Sequence, residues 1–123
     1  MKTSIQYKNM LETLGIDQII TEDVTPAEAH EHLTKLAEIE TQIKDIETSL
    51  NFDLHALRSQ YSGRLASLNQ NPRRKGRADQ EQLVEDKRNA KLAPYAELKA
   101  EIQTLLADLE QKRSVLEKRT ANN

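Results

Sequence analysis

The sequence predicts an all-α protein, a long antiparallel two-helix coiled-coil hairpin preceded by a short N-terminal helical arm. Three observations support this fold class. Apolar residues recur every three or four positions along two long segments, turn-forming residues separate those segments, and the 123 residues include only three glycines and three prolines. We predict an N-terminal arm at 1–25 and a hairpin at 26–123, whose helices cover about 26–69 and 79–119 and are joined by a loop at 70–78.

The N-terminal arm is predicted to contain one short helix. Thr3 or Ser4 can cap its start, and Gly15 is typical of a residue that ends a helix. Its apolar side is formed by Ile5, Leu11 and Leu14. Because this surface is too small to fold alone, we expect the arm to pack on the open end of the hairpin or on another chain.

The first long helix begins with a strong start signal at Thr25-Pro26-Ala27-Glu28. Thr25 can cap the helix, Pro26 suits its first position, and Glu28 completes a capping box. Apolar residues then follow at helical spacing: Leu36, Ile39, Ile43, Ile46, Leu50, Leu54, Leu57, Tyr61, Leu65 and Leu68. The first part of this seam has heptad spacing, and the second part shifts to the pattern of an 11-residue repeat.

The second long helix follows a break around Pro72. Asp79 and Gln82 are spaced as a second capping box, which predicts a helix start there. Its seam residues are Leu83, Val84, Tyr95, Leu98, Ile102, Leu105, Leu109 and Leu116, with Lys112 at one polar position. Residues 120–123 are expected to fray.

The two seams fit each other as an antiparallel pair. One constant offset aligns five successive layers: Leu36–Lys112, Ile39–Leu109, Ile43–Leu105, Ile46–Ile102 and Leu50–Leu98. The same offset leaves residues 70–78 as the connection, which is close to the usual length for neighbouring helices.

The same register places several irregular residues at one height. Asp53 occupies a position where the first seam expects an apolar residue, and Tyr95 lies opposite it. The adjacent Pro94 removes a backbone donor, so we expect the second helix to kink or restart there. We therefore predict a regular coiled coil toward the chain termini and a looser pair of helices toward the loop.

The hairpin is expected to self-associate. Two helices alone leave their seam open to water, so we expect the seam side chains to stay half exposed until other helices cover them. The predicted assembly is an oligomeric helical bundle, either a homodimer or a higher oligomer.

Several classes of function have no support in the sequence. The absence of cysteine excludes disulfide scaffolds, cysteine-ligated zinc and thiol catalysis, and the isolated glycines form no phosphate-binding loop. Glu28 and His32 share one helix face, but two ligands are too few for a metal site. We therefore expect no enzyme activity, no cofactor and no small-molecule substrate.

No run approaches 18 apolar residues and the first residues lack a signal-peptide pattern, so we expect no membrane contact and a cytoplasmic location.

The small net charge of −2 conceals a strong asymmetry along the chain. Residues 1–53 contain four lysines and eleven acidic residues, a net charge of −7. Residues 54–78 contain five arginines, one lysine and no acidic residue, a net charge of +6. Residues 79–123 contain eight basic and nine acidic residues, a net charge of −1. Such an asymmetry bears on the choice of partner rather than on fold.

The basic segment supplies the candidate binding residues: Arg64, Arg73, Arg74, Lys75 and Arg77. Guanidinium groups on a loop suit phosphate oxygens, which would give weak, non-specific and salt-sensitive nucleic-acid binding. The same charges can keep the hairpin soluble or meet an acidic protein surface, such as residues 1–53 of another copy. We expect a non-enzymatic coiled-coil interaction or scaffold protein that acts through self-association and partner binding, with nucleic-acid binding at the hairpin tip as the alternative.

Overall fold

A computed structural model of the chain describes residues 1–69 and 76–121, and these are helical apart from short connections. Helix α1 is Ser4–Glu12, α2 is Pro26–Asn69 and α3 is Arg77–Ala121. A single turn of 3₁₀ helix, Ile16–Gln18, lies between α1 and α2. The predicted all-α hairpin with a short N-terminal helix is confirmed.

The predicted start of α2 is confirmed by its capping contacts. The Glu28 N–H donates to Thr25 Oγ1 at 3.2 Å, and the Thr25 hydroxyl donates to Glu28 Oε1 at 3.2 Å. In α1 the cap is Thr3, whose hydroxyl accepts from the Gln6 N–H at 3.2 Å. Gly15 has a φ of 76°, the left-handed conformation that glycine adopts easily after a helix.

Helix α3 differs from its predicted form in two ways. It begins at Arg77, with Asp79 already in its first turn, so the prediction that Asp79 caps the helix was wrong. Gly76 (φ 79°) precedes the helix, and its carbonyl accepts from the Gln80 N–H at 3.0 Å. The helix also runs through Pro94 without interruption, so of the two outcomes expected there, a kink or a restart, the restart does not occur.

The antiparallel pairing of α2 and α3 is visible in their polar contacts. Gln103 Nε2 donates to Glu47 Oε2 at 2.5 Å, and the Arg113 guanidinium pairs with the Glu40 carboxylate. Successive residues of α2 therefore contact residues of α3 in reverse order, as an antiparallel pair requires. The Glu40–Arg113 pair lies against the seam, since Glu40 is almost fully buried.

The seam is buried, so the expectation of half-exposed seam side chains was wrong for most of its length. Its most enclosed residues, each fully buried, are Leu36, Ile43, Leu50, Ile102, Leu109 and Leu116. Toward the loop, Leu54, Leu57 and Tyr61 are also buried, and half-buried residues begin at Leu65. Long side chains beside the seam and the N-terminal arm cover apolar surface that the two helices alone would expose.

The N-terminal arm packs lengthwise on the hairpin. Lys2 lies beside Asp53 of α2 and Tyr95 of α3, and the arm runs from there toward the open end of the hairpin. Tyr7 and Leu11 are buried in the contact, whereas Ile5 is 70% exposed, so its predicted place on the apolar side was wrong.

The hairpin consequently has two unlike halves. We call α2 residues 26–53 with α3 residues 94–121 the arm-covered half, because the N-terminal arm makes a third layer there. We call α2 residues 54–69 with α3 residues 77–93 the two-helix half. In the described part of the chain, the arm's hydrogen bonds to the hairpin all fall in the arm-covered half.

Candidate interaction surfaces

A polar cluster marks the boundary between the two halves. Asp53, only 6% exposed, accepts from the Tyr7 hydroxyl at 2.5 Å and from the Lys2 backbone N–H at 3.1 Å. The Ser49 hydroxyl lies 2.9 Å from the Tyr7 oxygen, and the Tyr95 hydroxyl donates to the Lys2 carbonyl at 2.8 Å. These groups, called here the Asp53 cluster, join the arm to both long helices.

The two tyrosine rings of the Asp53 cluster also contact each other. Their centroids are 6.3 Å apart at an interplanar angle of 73°, an edge-to-face arrangement that is favourable for aromatic pairs. Burial and the hydrogen bond to Asp53 raise the pKa of Tyr7 to about 12. Burial and the negative charge of Asp53 also raise the pKa of Tyr95. Both phenols are therefore neutral hydrogen-bond donors at neutral pH, and the cluster anchors the arm.

The predicted pairing of the two seams placed Asp53 and Tyr95 opposite each other but gave no role to Tyr7. A buried carboxylate requires donors, and the arm supplies two of them, the Tyr7 hydroxyl and the Lys2 N–H. The available signal was that Tyr7 is the only aromatic residue in the first 25 positions.

The predicted basic site is only partly within the described residues. Arg64 is exposed on α2, and its guanidinium carbon lies 4.9 Å from the centroid of the Tyr61 ring. Arg77 begins α3. The remaining predicted residues, Arg73, Arg74 and Lys75, lie outside the described part of the chain.

The two-helix half carries apolar side chains at its surface. Leu83 is 53% exposed on α3, and the half-buried apolar residues are Leu65, Leu68, Val84 and Leu92. On the α2 side, Arg58 and Arg64 are both exposed in a stretch without acidic residues. This half therefore combines accessible apolar surface with positive charge on α2, whereas α3 around Leu83 carries both basic and acidic residues, Glu81 and Glu85 among them.

A second apolar feature lies on α2 near the boundary. Phe52, the only phenylalanine in the chain, is 72% exposed. Beside it, an open groove of about 440 Å³ separates the arm from α2. Met10 and Leu14 of the arm line one side of this groove, and Asp45, Ile46 and Ser49 of α2 line the other.

Other kinds of site lack structural support within the described residues. They contain no group of three or more histidine, aspartate or glutamate side chains placed to hold a metal ion. None of their helices combines the length and apolar character needed to cross a membrane.

Comparison with known proteins does not place the chain in a family. No family model matches it, and it has no significant match among curated protein sequences or solved structures.

Proposed function

We propose that this chain is a cytoplasmic, non-enzymatic coiled-coil interaction module that acts through self-association and partner binding. Its arm-covered half serves as the stable base. Its two-helix half presents a surface to a partner, either an acidic protein surface or a nucleic acid.

The observation that carries this proposal is the unequal covering of the hairpin. The N-terminal arm shields most of the seam in one half, where Leu105 stays half-buried, while the other half keeps several half-buried leucines and the exposed Leu83 at its surface. Apolar surface of this kind, bordered by charge, is typical of protein–protein contacts. A rod of two long helices offers extended surface rather than the deep concave pocket that enzymes use.

Sedimentation equilibrium of the full chain tests the self-association part of the proposal. We expect a concentration-dependent dimer or higher oligomer at micromolar concentration. A folded monomer throughout that range would refute self-association. Partner binding is tested separately. The parent chain, Leu83→Ser and Leu65→Ser are each used as bait for acidic proteins. Ile5→Ser, which changes an exposed apolar residue of the N-terminal arm, is the control.

Nucleic-acid binding is the second candidate, and it is favoured by the exposed Arg58 and Arg64 in an acid-free stretch. Binding of generic DNA and RNA at low salt would test it, with the four residues Arg73, Arg74, Lys75 and Arg77 replaced by serine. We expect affinity to fall with both the replacements and rising salt, because phosphate contacts release counterions. Absent or unchanged affinity would exclude this candidate. A matched control replaces Lys44, Lys99, Lys112 and Lys118 in the arm-covered half, which removes equal charge away from the tip.

A further inference from the structure

We propose that self-association occurs through a two-fold symmetric, antiparallel contact between the α2 helices of two copies, in which Phe52 of each copy enters the groove between the arm and α2 of the other. This inference rests on the proposed function, because it names the partner and the surface for self-association. The occupant of the groove is thus a second copy of this chain.

Phe52 and the groove lie on the same face of α2. Asp45, Ser49 and Phe52 are separated by four and three residues, the spacing of neighbours along one helix face. A two-fold contact needs this self-complementarity, because residue i of one copy must meet residue j of the other and the reverse. An isolated exposed phenylalanine would carry no such meaning.

The groove between the arm and α2 has room for a phenyl ring. A cavity of roughly 150 Å³ lined by apolar side chains accepts a benzene ring. The groove of about 440 Å³ is open to solvent and larger than that. Most of its lining residues are polar, and Met10, Leu14 and Ile46 supply its apolar part. A phenyl ring from a second copy would cover these side chains and would itself be removed from contact with water.

Charge is distributed unevenly along α2. Before Leu54, and leaving aside the buried Glu40 and Asp53, this helix contains five acidic residues and two lysines; from Leu54 onward it contains Arg58 and Arg64 and no acidic residue. In an antiparallel contact centred near Thr48, the basic end of each α2 lies against the acidic part of the other. A parallel contact would align like charges, which is unfavourable. The charges therefore select the antiparallel arrangement.

The dissociation constant of the dimer should be about a hundredfold higher for Phe52→Ala than for the parent chain, because two phenyl rings lose their burial in each dimer. Since Phe52 is exposed in the single chain, the helical circular dichroism signal and the unfolding midpoint of the diluted variant should match those of the parent. Val115→Ala is the matched control, an exposed apolar residue on α3 outside the two-helix half, and should leave the dissociation constant unchanged.

Spin-label distances test the geometry, and the lack of native cysteine makes single labels straightforward. A label at Thr48→Cys lies at the two-fold axis and should give a short distance between copies, under about 20 Å. A label at Ser59→Cys, displaced by eleven residues in each copy, should give roughly 30 Å or more at 1.5 Å per residue. Equally short distances at both positions would show a parallel contact and overturn the proposal.

The outcomes separate this inference from the proposed function. If the parent chain self-associates and Phe52→Ala does so with the same dissociation constant, the contact proposed here is wrong while self-association stands. If the parent chain is a monomer at every concentration, both are wrong.

Discussion

The two halves of the hairpin share the same pair of helices but differ in what covers their seam. In the arm-covered half, Leu36, Ile43 and Leu109 are fully buried. In the two-helix half, burial declines toward the loop, and Leu65 and Leu68 are only half-buried. The half that carries the third layer from the N-terminal arm thus has the more completely buried seam.

The largest expected effect is a difference in the free energy of unfolding between matched leucine substitutions in the two halves. Leu109→Ala should destabilise the chain by about 2–5 kcal/mol, because it leaves a cavity in a closed core. Leu65→Ala should cost roughly half as much or less, because the side chain is already partly hydrated. Urea unfolding of both variants measures the difference, and equal costs would contradict the distinction between the halves.

A smaller effect is expected from Asp53→Ala, which removes the anchor of the third layer. The Tyr7 hydroxyl would lose its carboxylate acceptor and keep only Ser49 as a partner, and the part-buried Lys2 N–H would lose its acceptor, at a cost of about 1–3 kcal/mol. Amide hydrogen exchange should accelerate in α1 and much less in the distant part of α3. Glu38→Ala, an exposed carboxylate on the same helix, is the control and should leave α1 protected. Unchanged protection of α1 in Asp53→Ala would show that the Asp53 cluster does not hold the arm.

The smallest effect at neutral pH is expected for Tyr7→Phe, whose main consequence should appear in alkaline solution. The pKa of Tyr7 is raised from 10 to about 12, so the folded chain holds this proton more tightly than the unfolded chain. The contribution of the protonated Tyr7 to the free energy of unfolding is therefore fully present below pH 10 and is lost as the pH rises through about 12. Tyrosine absorbance and thermal unfolding across this interval measure the loss, and Tyr7→Phe should remove the part that comes from this residue. Identical alkaline transitions in the two chains would rule out Tyr7 as the titrating group.

Helices and their register could be predicted from local signals. Thr25 and Pro26 mark the start of α2 correctly because capping depends on residues within one turn. The start of α3 was predicted wrongly. The spacing of Asp79 and Gln82 suggested a capping box, whereas in the structure Gly76 precedes the helix and Arg77 begins it. A capping box at Asp79 and a glycine before Arg77 both fit the local sequence, and a sequence pattern alone does not decide between these two starts.

The candidate surfaces depended on contacts between residues far apart in the chain. Ile5 fitted an apolar side of α1 by spacing, yet the structure rotates α1 so that Tyr7 faces the hairpin. That rotation follows from Asp53, a partner 46 residues away, whose buried carboxylate needs the Tyr7 hydroxyl. The groove beside Phe52 likewise exists only because the arm docks along α2.

The sequence by itself therefore determined the helical hairpin, its antiparallel register and the uneven distribution of charge. These depend on periodicity, capping and composition, which can be read along the chain. Tertiary structure alone decided which half of the hairpin is closed, which side of α1 is buried and where a groove remains open beside Phe52. These features depend on where the N-terminal arm docks, and the docking is set by hydrogen bonds and packing among residues that are distant in sequence.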